Sequence, residues 1–174
     1  MTIYLGADHA GFELKEKIKK FLGYHYEKYK VVDFGALAYD EKDDYPDFVR
    51  PVAQAVANDP EQSRGIIIGG SGQGEAMCAN RVAGVRAAVY YGPVCHPEAL
   101  AEGSQAVNDR DSSPPAADQN DMNIIKLSRE HNNANVLSLG ARFLSDEDAL
   151  KVVQLWLDTA FSGEERHARR LAKF

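Results

Sequence analysis

One short segment constrains the fold of this chain more than any other. Residues 65–69 read Gly-Ile-Ile-Ile-Gly, and a glycine-rich run from Gly70 to Gly74 follows directly. A strand that is apolar at every position is typical of a central strand in a parallel sheet, because helices cover both of its faces. Ligands of such sheets bind beyond the carboxyl ends of the strands. The glycine-rich run is therefore expected at a binding site.

The rest of the chain alternates between short apolar segments and amphipathic ones. Further strands are predicted at residues 3–7, 31–35, 85–91 and 135–140, and helices at about 12–22, 48–56, 75–81 and 149–160. This alternation predicts a Rossmann-like α/β fold, a three-layer sandwich around a parallel five-stranded sheet. The loops after Ala7, Ile68 and Leu139 should then meet at one edge. The 174 residues suit a single domain.

Two segments fall outside this alternation. Residues 101–122 are rich in Asp, Asn, Ser, Ala and Pro and lack apolar periodicity, which predicts an exposed, mobile loop inserted in the domain. A plain insertion without function is favoured there over a lid. Residues 163–174 predict a short C-terminal helix rich in basic side chains.

Charge and composition exclude several classes of function. The formal net charge is -6, so the chain lacks the basic surplus of a nucleic-acid binder. No window approaches the roughly 20 apolar residues of a membrane span, and the N-terminus lacks a signal-peptide pattern. Cys78 and Cys95 have no metal-ligand spacing and are expected to be reduced thiols. These features predict a cytoplasmic protein.

The glycine-rich run is open to three interpretations. Its backbone N–H groups can hold a phosphate, or they can stabilise the oxyanion of an enediolate. It can also be no more than a tight turn between a strand and a helix. No Gly-Lys-Ser/Thr sequence follows, so it is not a Walker A loop. Glu75, at the start of the next helix, is either a helix-dipole acid or a general base for proton abstraction beside a carbonyl.

Other polar residues stand near the predicted ligand edge or in basic clusters. Asp8 follows the first strand, where it is either an N-cap or a functional carboxylate, and His9 is next to it. Arg142 follows the last strand. The basic C-terminal helix is either a solvated surface or a phosphate clamp, since arginine binds phosphate bidentately.

Several motifs occur in one order along the chain. They are Gly6–Phe12, Asp44–Pro46, Gly65–Glu75, Ala79–Arg81, Gly84–Ala87, His131–Asn135 and Arg166–Arg170. In this order they resemble the ribose-5-phosphate isomerase B family, which also includes the galactose-6-phosphate isomerase subunits. The resemblance covers the whole chain except roughly residues 101–122.

The resemblance implies a role for each matching polar residue. The residues implied in catalysis are Glu75, Ser71, His131 and Asp8. Those implied in substrate binding are His9, Tyr45, Gly70, Gly72, Gln73, Gly74, Asn132, Arg142, Arg166 and Arg170. Among these, His9 and the arginines would contact the phosphate group, and Asn132 the enediolate side.

The chain departs from one common pattern of the family. Many members place a catalytic cysteine at the end of the third strand, where this chain has Gly69. Another branch uses a glutamate at the start of the following helix, and Glu75 fits that branch. Cys78 lies about one turn further along and is expected to belong to the core.

The resemblance implies an aldose–ketose isomerase that interconverts ribose 5-phosphate and ribulose 5-phosphate through an enediolate, in the pentose phosphate pathway. It implies no redox cofactor, because the reaction only relocates hydrogen, and no metal, because the glycine-rich loop supplies the electrophile. It also implies a homodimer or a dimer of dimers, with each active site shared between two subunits. Two alternatives stay open: a sister isomerase for a tetrose or hexose phosphate, and a non-catalytic phosphate- or nucleotide-binding module.

Overall fold

All five strands of the apolar pattern are present in the computed structural model, which describes residues 1–92 and 117–173. The strands are β1 (Thr2–Ala7), β2 (Lys30–Asp33), β3 (Ser63–Gly69), β4 (Ala87–Tyr90) and β5 (Val136–Gly140). The helices are α1 (Phe12–His25), α2 (Tyr45–Asn58), α3 (Gln73–Ala79), α4 (Ala117–Glu130), α5 (Asp146–Asp158) and α6 (Glu165–Leu171). Their bounds differ from the predicted ones by a few residues, as is usual where elements end.

The strands form one parallel sheet in the order β2-β1-β3-β5-β4. Helices α1, α4 and α5 pack on one face of this sheet, and α2 and α3 pack on the other. The result is a three-layer α/β arrangement. The predicted α/β fold with a parallel five-stranded sheet is confirmed.

The central strand β3 shows why its sequence is apolar at consecutive positions. Ile66 and Ile68 belong to the core cluster shared with α1 and α5, whereas Ile67 belongs to the cluster shared with α2. All three side chains are fully buried. Because the pleat sends alternate side chains to opposite faces, consecutive positions of a strand covered on both sides favour apolar residues. Burying each isoleucine contributes about 1.5–3 kcal/mol.

The start of α1 approaches β3 closely, and Gly11 makes that approach possible. A Cβ atom on Gly11 would lie 2.5 Å from the carbonyl oxygen of Ile68. Any side chain at this position would push α1 away from the sheet. Gly11 thereby sets the position of the loop between β1 and α1, which carries Asp8 and His9.

The order of the strands also fixes where a ligand can bind. From β1 the chain passes through α1 to β2, on one side of β1, whereas from β3 it passes through α3 to β4, on the other side of β3. Connections that leave neighbouring strands in opposite directions open a crevice at the carboxyl ends of those strands. In this fold the crevice lies between β1 and β3.

The prediction of a loop over residues 101–122 was wrong at its end, because residues 117–122 belong to α4. The first turns of α4 are almost entirely polar, so the sequence gives no apolar period there. Met122 packs against the core, and Ile125 is fully buried. The rest of that predicted loop, residues 101–116, lies outside the described residues.

Within the described part of the chain, no helix combines the length and apolarity needed to span a membrane.

Candidate active site

A cavity of about 380 Å³ opens at the carboxyl ends of β1, β3 and β5. The three loops that the sequence predicts at this edge all contribute to it, together with the first residue of α2. The lining residues are Asp8, His9, Ala10, Tyr45, Gly70, Ser71, Gly74, Glu75, Arg142 and Phe143. One crevice therefore brings together eight of the residues that the sequence predicts for the site.

The side chain of Glu75 occupies the space that a side chain at position 69 would need. A Cβ atom built on Gly69 would overlap the Oε1 and Cδ atoms of the Glu75 carboxyl group. The absence of a side chain at Gly69 is thus what admits the carboxylate to the end of β3. The two positions are coupled, because a cysteine at 69 and a glutamate at 75 could not both adopt this arrangement.

Glu75 is 4% exposed, and burial raises the pKa of its carboxyl group above the ordinary value. A hydrogen bond from its own backbone N–H lowers the pKa, and the nearby charge of Asp8 raises it again. A carboxylate whose pKa is raised in this way binds a proton more readily than an exposed one. It is suited to remove a proton from carbon and return it.

Asp8 lies on the other side of the crevice and is also buried, at 7% exposure. Its Oδ1 atom accepts hydrogen bonds from the backbone N–H groups of Ala10 at 3.0 Å and Gly11 at 3.3 Å. The carboxylate therefore closes the turn that leads into α1. It does so without capping the helix, since the N-cap residue is Gly11.

His9 is held by a residue that sequence reasoning missed. Its Nδ1 atom lies 2.7 Å from Oδ1 of Asp43, and the same oxygen accepts the His9 backbone N–H at 2.9 Å. The hydrogen bond to Asp43 raises the pKa of His9 above its ordinary value, which favours a charged imidazolium. The available signal was the Asp43-Asp44 pair just before Tyr45. Nothing in the sequence shows which of the two carboxylates turns toward His9.

The glycine-rich loop is fixed by contacts with β5 and α2. Gly72 has a left-handed backbone with φ of 76°, and its carbonyl oxygen accepts the hydroxyl of Ser138 at 2.6 Å. The backbone N–H of Arg142 donates to the carbonyl of Gly70 at 3.1 Å. On the other side, a Cβ on Gly74 would come within 2.9 Å of the Tyr45 hydroxyl. These contacts hold the loop in one shape before any ligand arrives.

Cationic groups gather at the mouth of the crevice. Arg142 is exposed and packs over Gly70, where a Cβ would lie 3.2 Å from its Nε atom. The charge of Arg142 also acts on His9 across the opening of the crevice. It lowers the pKa of His9, whereas the hydrogen bond to Asp43 raises it. Arg142 and His9, beside the backbone N–H groups of the glycine-rich loop, provide a place for an anionic substituent of a substrate.

Three potential metal-ligand atoms, from Asp8, His9 and Asp43, lie within 4.8 Å of one another. One of them is the Nδ1 atom of His9, which is already hydrogen-bonded to Asp43 at 2.7 Å. A histidine with a raised pKa between two carboxylates accounts for this cluster as an ion pair, so we assign no metal to it.

Other predicted site residues lie elsewhere in the chain. His131 follows α4 and packs against His167, with ring centroids 4.2 Å apart and the ring planes tilted by 40°. Asn132 borders a separate hollow. Exposed Arg166 and Arg170 lie on α6. The His131 segment precedes β5 and Arg142 follows it, so five strand residues, or about 17 Å at roughly 3.3 Å per residue, separate the two groups within one chain.

The fold and this crevice together define an α/β enzyme that moves a proton on a small anionic substrate. A more specific assignment comes from the sequence: the chain belongs to the Ribose/Galactose Isomerase family, whose sequence model matches residues 3–112 and 113–174.

Relatives of the chain include ribose-5-phosphate isomerases. Ribose-5-phosphate isomerase B of Mycobacterium tuberculosis is 37% identical over 171 residues, which are 98% of this chain and 86% of that protein. The crystal structure of the Mycoplasma genitalium enzyme with bound ribulose-5-phosphate has a TM-score of 0.78 and 34% identity, covering 99% of this chain and 92% of that one. The Clostridium thermocellum enzyme has a TM-score of 0.75 and 38% identity, with coverages of 99% and 94%.

Proposed function

We propose that this protein interconverts ribose 5-phosphate and ribulose 5-phosphate by proton transfer between C1 and C2. The observation that carries the proposal is the buried Glu75 carboxylate, which fills the empty side-chain volume of Gly69 beside a pre-shaped glycine loop. Membership of the Ribose/Galactose Isomerase family supports the substrate class, and the bound ribulose-5-phosphate of the Mycoplasma genitalium relative supports the pentose.

In this mechanism Glu75 removes the proton from C2 of the open-chain aldose. Negative charge then develops on the carbonyl oxygen at C1, where the backbone N–H groups of the Gly70–Gly74 loop stabilise it. Ser71 transfers a proton between the two oxygens, so that the hydroxyl at C2 becomes the new carbonyl. Glu75 returns its proton to C1 and gives the ketose. Hydrogen is only relocated, so the step is balanced without a redox cofactor.

The phosphate group would anchor the substrate at a distance from the reacting carbons. Within one chain, His9 and Arg142 are the cations placed for this role at the mouth of the crevice. The hydrogen bond to Asp43 raises the pKa of His9, which favours the charged form and so strengthens the attraction for a dianion. Binding energy gained at the phosphate can then position C1 and C2 against Glu75.

We propose further that the active site is completed by a second copy of the chain. His131 and Asn132 are separated from Glu75 by the length of β5, so they can act in the reaction only from another subunit. In a homodimer, His131 of the partner subunit would assist opening of the sugar ring, and Asp8 would act on the ring from this side. The partner's Arg166 and the partner's Arg170 would add to the phosphate clamp. A dimer of dimers satisfies the same requirement.

The activity is tested by incubating the protein with ribose 5-phosphate in D2O and following the products by proton NMR. The expected product is ribulose 5-phosphate that carries solvent deuterium at C1. Turnover of a tetrose or hexose phosphate instead would keep the mechanism and replace the substrate. Binding without turnover of any sugar phosphate would contradict the proposal and favour a binding module.

The shared site is tested by mixing two variants that are each inactive as homodimers. In a heterodimer of Glu75→Gln and His131→Ala, one site carries both changes and the other carries neither. Random exchange of subunits should therefore restore about a quarter of the wild-type activity. Mixing that restores nothing, although exchange is verified by mass spectrometry, would place all the catalytic groups within one chain.

A cytoplasmic location is part of the same proposal. Cys78 is unpaired and packs beside the core next to α2, as expected for a reduced thiol. Cell fractionation with antibody detection is the direct test, and recovery outside the cytoplasmic fraction would contradict it.

A further inference from the structure

A second and larger cavity, of about 610 Å³, opens at the amino end of the sheet. Its lining includes three arginines, Arg64 of β3, Arg86 just before β4 and Arg129 of α4. It lies at the opposite end of the sheet from the crevice that holds Glu75, and the two cavities share no lining residue. Three guanidinium groups around one opening are unexpected in a chain with a net charge of -6.

Arg129 is 4% exposed and is held by uncharged oxygens. Its Nε atom donates to the carbonyl of Thr159 at 3.1 Å. Its Nη1 atom donates to the side-chain oxygen of Asn133 at 2.9 Å and to the carbonyl of Ala134 at 2.5 Å. These bonds fix the guanidinium in place without neutralising its charge.

The other two arginines are fixed in the same manner. Arg64 donates through Nη1 to the carbonyls of Pro60 at 3.0 Å and of Ser63 at 2.6 Å. Arg86 donates through Nε to the carbonyl of Asn133 at 3.0 Å and through Nη1 to that of Gly84 at 3.2 Å. Among the described residues, no hydrogen bond engages the Nη2 atom of any of the three arginines.

The positive charge of this cluster has no carboxylate partner in the described part of the chain. None of the three arginines forms an ion pair there, although Glu61 and Asp158 also line the cavity. Asp158 instead accepts the hydroxyl of Tyr26 at 3.0 Å, and Glu61 is exposed.

Because no carboxylate pairs with them among the described residues, the three guanidinium groups repel one another. The pKa of Arg129 is lowered to about 10, mainly by burial and in smaller part by the charges of Arg64 and Arg86. Burial also lowers the pKa of Arg64, with a contribution from Arg86. An anion placed among the three groups would relieve this repulsion and use the free Nη2 donors.

We propose that this cavity is a second anion-binding site, which takes a small molecule carrying a phosphate group. The volume falls within the range of about 300–1,000 Å³ that is typical of small-molecule sites. Planar guanidinium groups bind phosphate oxygens in a bidentate manner, and arginines already held by carbonyls lose little freedom when they do so. None of the residues that line this cavity belongs to the crevice that holds Glu75.

The test is isothermal titration of the full-length protein with pyrophosphate at low ionic strength. Three variants separate the two ends of the sheet: Arg64→Met at the new site, Arg142→Met at the catalytic crevice, and Arg169→Met as a control for loss of an exposed charge. We expect the Arg142→Met variant to retain binding at the new site. The Arg64→Met variant should weaken that binding by at least about tenfold, as expected for the loss of one charged hydrogen-bond donor group. Arg169→Met should bind like the wild type.

Two results would overturn the proposal. One is an Arg64→Met titration identical to that of the wild type. The other is an Arg142→Met variant that binds no pyrophosphate although circular dichroism shows that it is folded. If Arg64→Met does not fold by circular dichroism, Arg86→Lys replaces it, because lysine keeps the charge and loses the bidentate geometry. Unchanged affinity in the Arg86→Lys variant would count equally against the site.

Discussion

The two ends of the sheet carry opposite arrangements of charge. At the carboxyl end, the buried carboxylates of Asp8 and Glu75 accept hydrogen bonds from backbone N–H groups. At the amino end, the guanidinium groups of Arg64, Arg86 and Arg129 donate mainly to carbonyl oxygens. Neither set of charges has an ion-pair partner among the described residues.

This difference follows from the topology. In a parallel α/β sheet the helices begin near the carboxyl ends of the strands and finish near the amino ends. Helix starts leave N–H groups unpaired and helix ends leave carbonyls unpaired, so each end of the sheet favours charges of one sign. The Thr159 carbonyl lies at the end of α5, and those of Asn133 and Ala134 follow α4. The fold itself thus supports anionic groups at one end and cationic groups at the other.

The largest expected effect comes from removing the base at the carboxyl end. Glu75→Gln keeps the shape of the side chain and abolishes its basicity, so kcat should fall by about 10²–10⁴-fold. The measurement is steady-state conversion of ribose 5-phosphate. Glu13→Gln is the matched control, because Glu13 is an exposed acid in the first turn of α1. A kcat for Glu75→Gln within a factor of two of the Glu13→Gln value would remove Glu75 from the mechanism.

At the amino end the corresponding change affects stability. Arg129→Met removes three hydrogen bonds to buried or half-buried oxygens, and the free energy of unfolding should fall by about 2–4 kcal/mol. Urea unfolding followed by circular dichroism measures this change. Arg169→Met, an exposed change of the same kind on α6, should stay within about 0.5 kcal/mol of the wild type. Equal effects of the two changes would mean that the carbonyl contacts of Arg129 contribute nothing.

A methyl group at Gly69 tests how tightly the carboxyl end is packed. Gly69→Ala would displace the Glu75 carboxylate, so kcat should fall by about tenfold or more and stability by about 1–3 kcal/mol. The control is Gly23→Ala in α1, where the added Cβ meets nothing within 4 Å. That change should stabilise the helix by about 0.5–1 kcal/mol. Wild-type kinetics in Gly69→Ala would show that Glu75 can work from another position.

The contact between Asp43 and His9 predicts a smaller effect, on binding. Asp43→Asn should return the pKa of His9 toward its ordinary value, so that less of the imidazolium is present at neutral pH. KM should rise by about three- to tenfold with little change in kcat. Histidine NMR titration and the pH dependence of KM measure the two consequences. Asp44→Asn is the control, since exposed Asp44 makes no side-chain cap contact. An unmoved His9 titration in Asp43→Asn would contradict the assignment.

The smallest effect concerns pH. The raised pKa of Glu75 places the acid limb of the rate profile above the ordinary glutamate range, because the base is lost when it is protonated. The same shift means that the folded state binds the proton more tightly than the unfolded state. Stability therefore declines as the pH rises from the ordinary value through the folded pKa. Glu75→Gln should remove this decline and stabilise the protein at pH 7 by about 1 kcal/mol or less. Parallel thermal scans at several pH values would show it.

Much of this protein was predictable from the sequence because the underlying signals are local. The apolar run of β3 indicated a buried parallel strand, and the parallel topology placed the loops after Ala7, Ile68 and Leu139 at one edge. The polar start of α4 carried no apolar period, so its first six residues, 117–122, were mistaken for part of a loop. Glu75 and Asp8 were each predicted as site residues through the order of motifs.

Only the tertiary structure decided which groups touch. The sequence named both Gly69 and Glu75, but their shared volume depends on the turn that brings the start of α3 back over the end of β3. It contained Asp43 without showing that this carboxylate holds His9. It also contained Arg64, Arg86 and Arg129 at distant positions, without showing that they meet at the amino end of the sheet. Contacts between distant positions depend on strand order and helix packing, and no local pattern of residues records them.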